Sequence, residues 1–98
     1  MRKVVHVQKL RGTEFQKKVW QELLNIRAGR TVTYKELARK IGKPEAVRAV
    51  ANAVAANPLI VTIPCHRVIR SDGSIGGYSG KGGINTKRSL LAKEGVII

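Results

Sequence analysis

The run TYKELARKIGKPEAVRAVANAVAAN, residues 33–57, decides the fold. Thr33-Tyr34-Lys35-Glu36 has the form of a capping box, in which the threonine hydroxyl and the glutamate satisfy each other's backbone N–H groups at the start of a helix. Leu37, Ala38 and Ile41 then fall on one face of a short helix that stops at Gly42. Pro44 opens the next helix, which the spacing carries to Ala56, with Val47, Val50, Ala51 and Val54 inward and Arg48, Ala49, Asn52 and Ala53 outward. Two short helices joined by a tight glycine turn have the form of a helix-turn-helix, whose second helix enters a DNA groove. Small helical bundles of other kinds use similar turns.

The outward face of that second helix is unusual for a major-groove reader. It offers one long cation, Arg48, with Ala49, Ala53 and Asn52 around it, and few groups able to read base edges. Small side chains let a helix sit close to a narrower groove, from which Arg48 would project into the duplex. The plainer alternative is an ordinary exposed arginine on an alanine-rich helix.

Outward from this pair, residues 3–10 alternate in part and suggest an extended arm or edge strand, within an N-terminal arm of residues 1–12. Thr13-Glu14-Phe15-Gln16 is another capping box, followed by the stripe Phe15, Val19, Trp20, Leu23, Leu24 and Ile26 of a helix ending near Ala28-Gly29. On the other side, Asn57-Pro58 ends the second helix, and the apolar residues Leu59 to Ile63 read as a buried strand-like run. Residues 67–70 and 75–78 flank Ser71-Asp72-Gly73-Ser74, which suggests a small hairpin or wing. A glycine-rich loop, 76–83, leads to a last helix capped by Asn85 or Thr86, with Leu90 and Leu91 inward and Gly95 as its stop. The expected fold is mainly α: a single winged helix-turn-helix-like domain over residues 1–98 with a short β hairpin and no separate N-terminal domain.

A formal net charge of +13 on 98 residues, spread along the chain, favours a polyanionic partner, most simply nucleic acid. Only 4% of residues are aromatic, too few to stack many unpaired bases, so a double helix fits better than a single strand. No apolar run is long enough to span a membrane and no signal peptide is evident, so no membrane contact and a cytoplasmic, nucleoid-associated place (nuclear in a eukaryote) are expected. One cysteine with two histidines is a poor zinc set, and no organic cofactor motif is present, so neither metal nor cofactor is expected.

The single cysteine lies in Ile63-Pro64-Cys65-His66-Arg67-Val68, after a rigid proline and before two potential cations that can lower a thiol's pKa. The spacing leaves three readings open: a buried structural thiol, a thiol-dependent hydrolase, or a group-accepting nucleophile. A hydrolase needs a base that reaches the sulfur, and side chains of adjacent residues seldom point the same way. A bridging water could relay the proton to His66, with Glu94 as its orienting carboxylate.

Ile63-Pro64-Cys65-His66-Arg67-Val68, Asn57-Pro58, Gly77-Tyr78-Ser79-Gly80 and Leu90-Leu91-Ala92-Lys93-Glu94-Gly95 together resemble the active-site domain of O6-alkylguanine-DNA alkyltransferases, from about Thr13 to Gly95. The resemblance implies a single-turnover repair protein, expected as a monomer, that flips O6-alkylguanine out of double-stranded DNA and takes the alkyl group onto Cys65. It implies His66 as the base acting through water, Glu94 as its partner and Asn57 as a hinge. Tyr34 would help rotate the target phosphate, and Arg48 would fill the gap left by the base, beside Ala49 and Asn52 on the DNA-facing helix. Around the lesion, Tyr78 would donate to the guanine ring and the Ser79 N–H would face O6, with Pro64, Val68 and Lys87 near the pocket.

Two departures stand out. The family's usual separate N-terminal domain has at most a dozen residues in its place, and Lys81 is inserted in the glycine loop. A different class is represented by the alkyltransferase-like proteins, short basic modules that bind alkylguanine without repairing it and recruit other factors. They typically carry tryptophan in place of the cysteine, so Cys65 argues against that reading. A winged-helix transcription regulator is the third alternative, and it would need neither the Cys-His run nor the tyrosine-serine loop.

Overall fold

The computed structural model describes residues 5–98. Its elements are α1 (Glu14–Leu23), β1 (Val32–Thr33), α2 (Tyr34–Lys40), α3 (Val47–Ala55), β2 (Val68–Ile69) and α4 (Gly83–Lys93). The described residues are mainly helical, with one small two-stranded sheet.

Both capping boxes form. Thr13 Oγ1 accepts from Gln16 N at 3.0 Å while Gln16 Oε1 accepts from Thr13 N at 2.9 Å, and Thr33 and Glu36 repeat the exchange at 3.0 Å each way. These reciprocal bonds fix where α1 and α2 start. Val19, Trp20 and Leu23 bury the face of α1, and Leu37, Ala38 and Ile41 that of α2 and its end. Phe15 and Leu24 pack at the edge of the core, half-buried. α1 is shorter than its apolar stripe suggests. After Leu23 the chain tightens into Asn25 N–Glu22 O and Ile26 N–Leu23 O turns, which still tuck Ile26 into the core.

The α2–turn–α3 pair is the expected helix-turn-helix, with Gly42 at a φ of +77° in the turn. α3 begins at Val47 rather than Pro44: residues 43–46 make a separate turn closed by Ala46 N to Lys43 O at 2.9 Å, and the first helical bond is Val50 N to Ala46 O. Ala53, expected outward, is buried at 2% exposure because Trp20 Nε1 donates to its carbonyl at 2.8 Å, binding α1 against α3.

Four further expectations are corrected. The N-terminal segment is not extended: residues 7–9 form a 3₁₀ turn with Val7 buried, and residues 3 and 4 of the expected arm lie outside the described residues. Leu59, Ile60 and Val61 are exposed rather than strand-like, with only Ile63 of that run in the core. The Asn57 side chain bends the chain there, donating from Nδ2 to Ile63 O at 2.7 Å and accepting from Leu59 N at 2.9 Å. The turn 70–74 closes as expected (Arg70 N to Ser74 O, 3.0 Å), but β2 pairs in parallel with β1, Val32 beside Val68 and Thr33 beside Ile69, instead of folding back as a hairpin. Finally, α4 starts at Gly83, since Gly82 at a φ of +90° turns the chain and Thr86 Oγ1 donates back to Lys81 O at 2.7 Å rather than capping.

Candidate active site

The parallel β1–β2 pair sets the site. It carries Thr33 beside Ile69, so that Tyr34, the next residue, stands over the chain that leaves Cys65-His66-Arg67. Those three residues form a 3₁₀ turn entered through buried Pro64, whose carbonyl accepts from Arg67 N at 3.1 Å. In so tight a turn, successive side chains leave in different directions. Cys65, His66 and Arg67 therefore face different surroundings.

Cys65 lines a pocket of about 290 Å³ with Tyr34, Val54, Ala55, Gly77, Tyr78 and Ser79. Cys65 is 4% exposed. Burial pushes the thiol's pKa up, against smaller downward effects of the Asn57 side chain and the Lys87 charge. The flanking cations therefore do not produce the lowered pKa anticipated from sequence: desolvation of the thiolate outweighs them. A neutral thiol rests in the pocket. Burial and the nearby Cys65 also raise the Tyr34 and Tyr78 phenols, which stay protonated donors. Gly80 is tightly constrained, because a β-carbon there would lie 2.5 Å from the Tyr78 ring.

His66, 1% exposed, turns away from the pocket wall toward α4. Its Nε2 lies 3.0 Å from Glu94 Oε2, while buried Nδ1 has no hydrogen-bond partner among the described residues. Glu94 remains ionised and can only accept, so Nε2 is the donor of that bond and Nδ1 is the ring nitrogen left for another partner. Arg67 completes the cluster: Nε donates to Glu94 Oε1 at 3.0 Å, NH2 to Oε2 at 2.7 Å and NH1 to Ile26 O at 2.6 Å. This two-pronged guanidinium is the main reason the Glu94 carboxyl falls to about 2, with His66 adding to it. Nothing in the sequence pattern marks Arg67 for this part beyond an arginine directly after the histidine and a carboxylate at the end of the last helix.

The remaining anticipated site residues divide. Arg48, Ala49 and Asn52 are exposed together on α3. Asn57, 6% exposed, shapes the approach to Cys65 through its backbone bonds. Pro64 lies on a different, wider groove with Arg67, Ile26 and Val61. Val68 is a core residue whose carbonyl accepts from Lys87, and Lys87 itself is wholly buried.

A family model described as "6-O-methylguanine DNA methyltransferase, DNA binding domain" matches residues 14–96. Among curated proteins, the "Bifunctional transcriptional activator/DNA repair enzyme Ada" of Escherichia coli is 55% identical over 85 residues, 87% of this chain and 23% of that protein. A "Methylated-DNA--protein-cysteine methyltransferase" of Mycobacterium tuberculosis is 52% identical over 85 residues, covering 50% of its own length. The chain thus spans half or less of these curated relatives. Among solved structures, Mycobacterium tuberculosis OGT in complex with DNA superposes with a TM-score of 0.83 at 51% identity, covering 88% of this chain and 52% of that one. S. pombe Atl1, in complex with damaged DNA containing O6-carboxymethylguanine, superposes at 0.75 with 35% identity, covering 89% of this chain and 81% of that one.

Proposed function

Because the chain belongs to the 6-O-methylguanine DNA methyltransferase family, matching its DNA-binding domain, we propose that it repairs duplex DNA by moving the alkyl group of an O6-alkylguanine onto Cys65 in one irreversible turnover. One observation carries this reading: the sulfur faces a pocket walled by Tyr34, Tyr78 and Ser79, while the next residue, His66, is held by Glu94 with Nδ1 unpartnered among the described residues. A structural thiol would need neither a pocket nor a fixed base.

In the proposed reaction the exposed face of α3 enters the groove, Arg48 fills the gap left by the flipped base, and Tyr34 turns the phosphate. The extruded base enters the Cys65 pocket. Since the thiol is neutral at rest, its proton must leave first, through a water molecule to His66 Nδ1, and the Glu94 carboxylate stabilises the imidazolium that forms. Sulfur then attacks the saturated alkyl carbon in line. The S–C bond forms, the C–O6 bond breaks, and its electron pair passes to guanine, where the Tyr78 hydroxyl donates to the ring as charge develops. Return of the proton to guanine leaves a thioether on Cys65.

The test is direct. Incubation with an oligonucleotide duplex carrying isotopically labelled O6-methylguanine should place the label on the Cys65 peptide, read by mass spectrometry. Label that stays on DNA despite tight binding would end the repair reading and favour a lesion-binding module that recruits other factors. The likeness to S. pombe Atl1 over most of that protein's length is what keeps this second reading in play.

A further inference from the structure

Lys87 on α4 is wholly buried, at 0% exposure, and the transfer described above makes no use of its charge. Its Nζ donates to Val68 O at 2.6 Å and to Gly77 O at 3.0 Å. Val68 begins β2 directly after Cys65-His66-Arg67, and Gly77 directly precedes Tyr78-Ser79. One ammonium thus joins the nucleophile's segment to the loop on the other wall of the pocket. Among the described residues the ion pairs are His66–Glu94 and Arg67–Glu94, so no carboxylate balances Lys87. A buried cation in that position is costly unless an anion meets it at some stage.

The groups around Lys87 come from several segments: Arg70 from the end of β2 and Tyr34 from α2 converge with its Nζ at Gly76, and the charges that act on it are those of Cys65 and Arg70. Tyr34 and Lys87 meet at Gly76, where a β-carbon would lie 3.6 Å from the ring and 3.6 Å from Nζ. Gly77, whose carbonyl accepts from Lys87, lines the same pocket as Cys65 and Tyr78, and of the groups there Cys65 is the one that must become an anion during alkyl transfer. The Lys87 ammonium is held down to about 8, chiefly by burial; the Cys65 charge opposes that fall and Arg70 adds to it.

We propose that Lys87 is a positioning residue for the transfer: its buried ammonium is the counter-charge of the Cys65 thiolate, and its two carbonyl bonds hold the Tyr78-Ser79 loop against the Cys65 turn. This inference rests on the reading of Cys65 as the alkyl acceptor. The resting pair is thiol and ammonium, the attacking pair is thiolate and ammonium, and the product is a neutral thioether beside an ammonium that has lost its partner.

The thiolate is the form that reacts with iodoacetamide, so the pH profile of Cys65 carboxamidomethylation reads the pair without DNA. Lys87→Met should move that profile to higher pH and slow the reaction by about 10-fold near neutrality, the equivalent of one pKa unit. Lys87→Gln, which keeps a donor for one carbonyl but no charge, should show the same displacement. Superposable profiles in either folded variant would overturn the counter-charge. A measurement on the unmutated chain guards against misfolding: deprotonation of Lys87 near 8 removes the counter-charge, so the wild-type haloacetamide rate should climb less steeply with pH above 8 than below it. A rate that rises with one unbroken slope through 8 would also overturn the proposal. If the methyl label stays on DNA while the haloacetamide profile shifts as expected, the repair reading falls and the ion pair stands; the opposite pattern removes Lys87's role alone.

Discussion

On one side of the Cys65–Arg67 turn the charges are paired. Glu94 receives both prongs of Arg67 and the imidazole of His66, and its carboxyl falls to about 2. On the other side the acidic groups are neutral at rest: Cys65, Tyr34 and Tyr78 all have raised pKa values, and burial is the leading cause for each. Pairing favours the charged form and desolvation the neutral one, so two adjacent residues are pushed in opposite directions by what their side chains meet. A thiol that rests neutral next to an imidazole held by a carboxylate is the arrangement that the proposed single proton transfer requires. A permanently ionised, exposed thiolate would instead react with any electrophile in solution.

The largest expected effect comes from erasing the pocket side. Cys65→Ala should abolish methyl transfer from the labelled oligonucleotide while leaving the ion cluster, the fold and DNA affinity in place, the last measured by fluorescence anisotropy. Equal loss of transfer and binding in a folded variant would break the division between the two sides. Glu94→Gln attacks the paired side. It keeps the size of the residue but removes the anion that orients His66, and single-turnover transfer should slow by ~100-fold, in the range of a lost acid–base partner. Because Arg67 would keep its bond to the Ile26 carbonyl but lose its carboxylate, urea unfolding should also show a stability loss of about 2 kcal/mol. Gly80→Ala is milder and touches only the pocket wall. The Tyr78 ring must shift to admit the new methyl group, and transfer should slow by ~10-fold, since small displacements at a reacting centre are costly. Stability should hardly change, and a large loss there would mean that the ring supports the fold rather than the chemistry.

The same contrast explains what could be read from sequence. Capping boxes at Thr13 and Thr33 and the apolar spacing of Val19, Leu23, Leu37 and Ile41 are local signals, and the helices start where those signals place them. Between Asn57 and Gly83 the conformation is set by bonds between residues distant in sequence or by side chains gripping the backbone. Asn57 turns the Leu59–Ile63 run outward, and Val68 finds Val32 rather than a hairpin partner. Neither event has a periodic signature. The proximity of His66 and Glu94 could be supposed from a family likeness alone, and it depends on α4 packing beside the 3₁₀ turn, 28 positions away in the chain. Arg67's fork and the burial of Lys87 left no trace in the pattern, because a basic residue in so basic a chain reads as surface.

The last expected effect is a pH dependence, and it isolates the paired side. Glu94 has its carboxyl at about 2 against an ordinary 4.5, so between those values the unfolded chain binds the proton that the folded chain refuses. Its contribution to stability is therefore complete above 4.5 and is lost progressively as pH falls toward 2. Glu94 is partly open to solvent, with 16% of its side chain exposed, which screens the pairing, and a contribution on the order of 2 kcal/mol is expected. Asp72, exposed and lowered chiefly by its hydrogen bonds to Ser74, titrates in the same acid region, so the total loss cannot be assigned to Glu94 directly. The comparison with Glu94→Gln removes that ambiguity. Urea midpoints of the two proteins should differ most above 4.5 and converge toward 2, where the wild-type carboxyl is itself protonated and resembles the amide. A difference that stays constant across the window would mean that Arg67 and His66 hold Glu94 by shape rather than by charge.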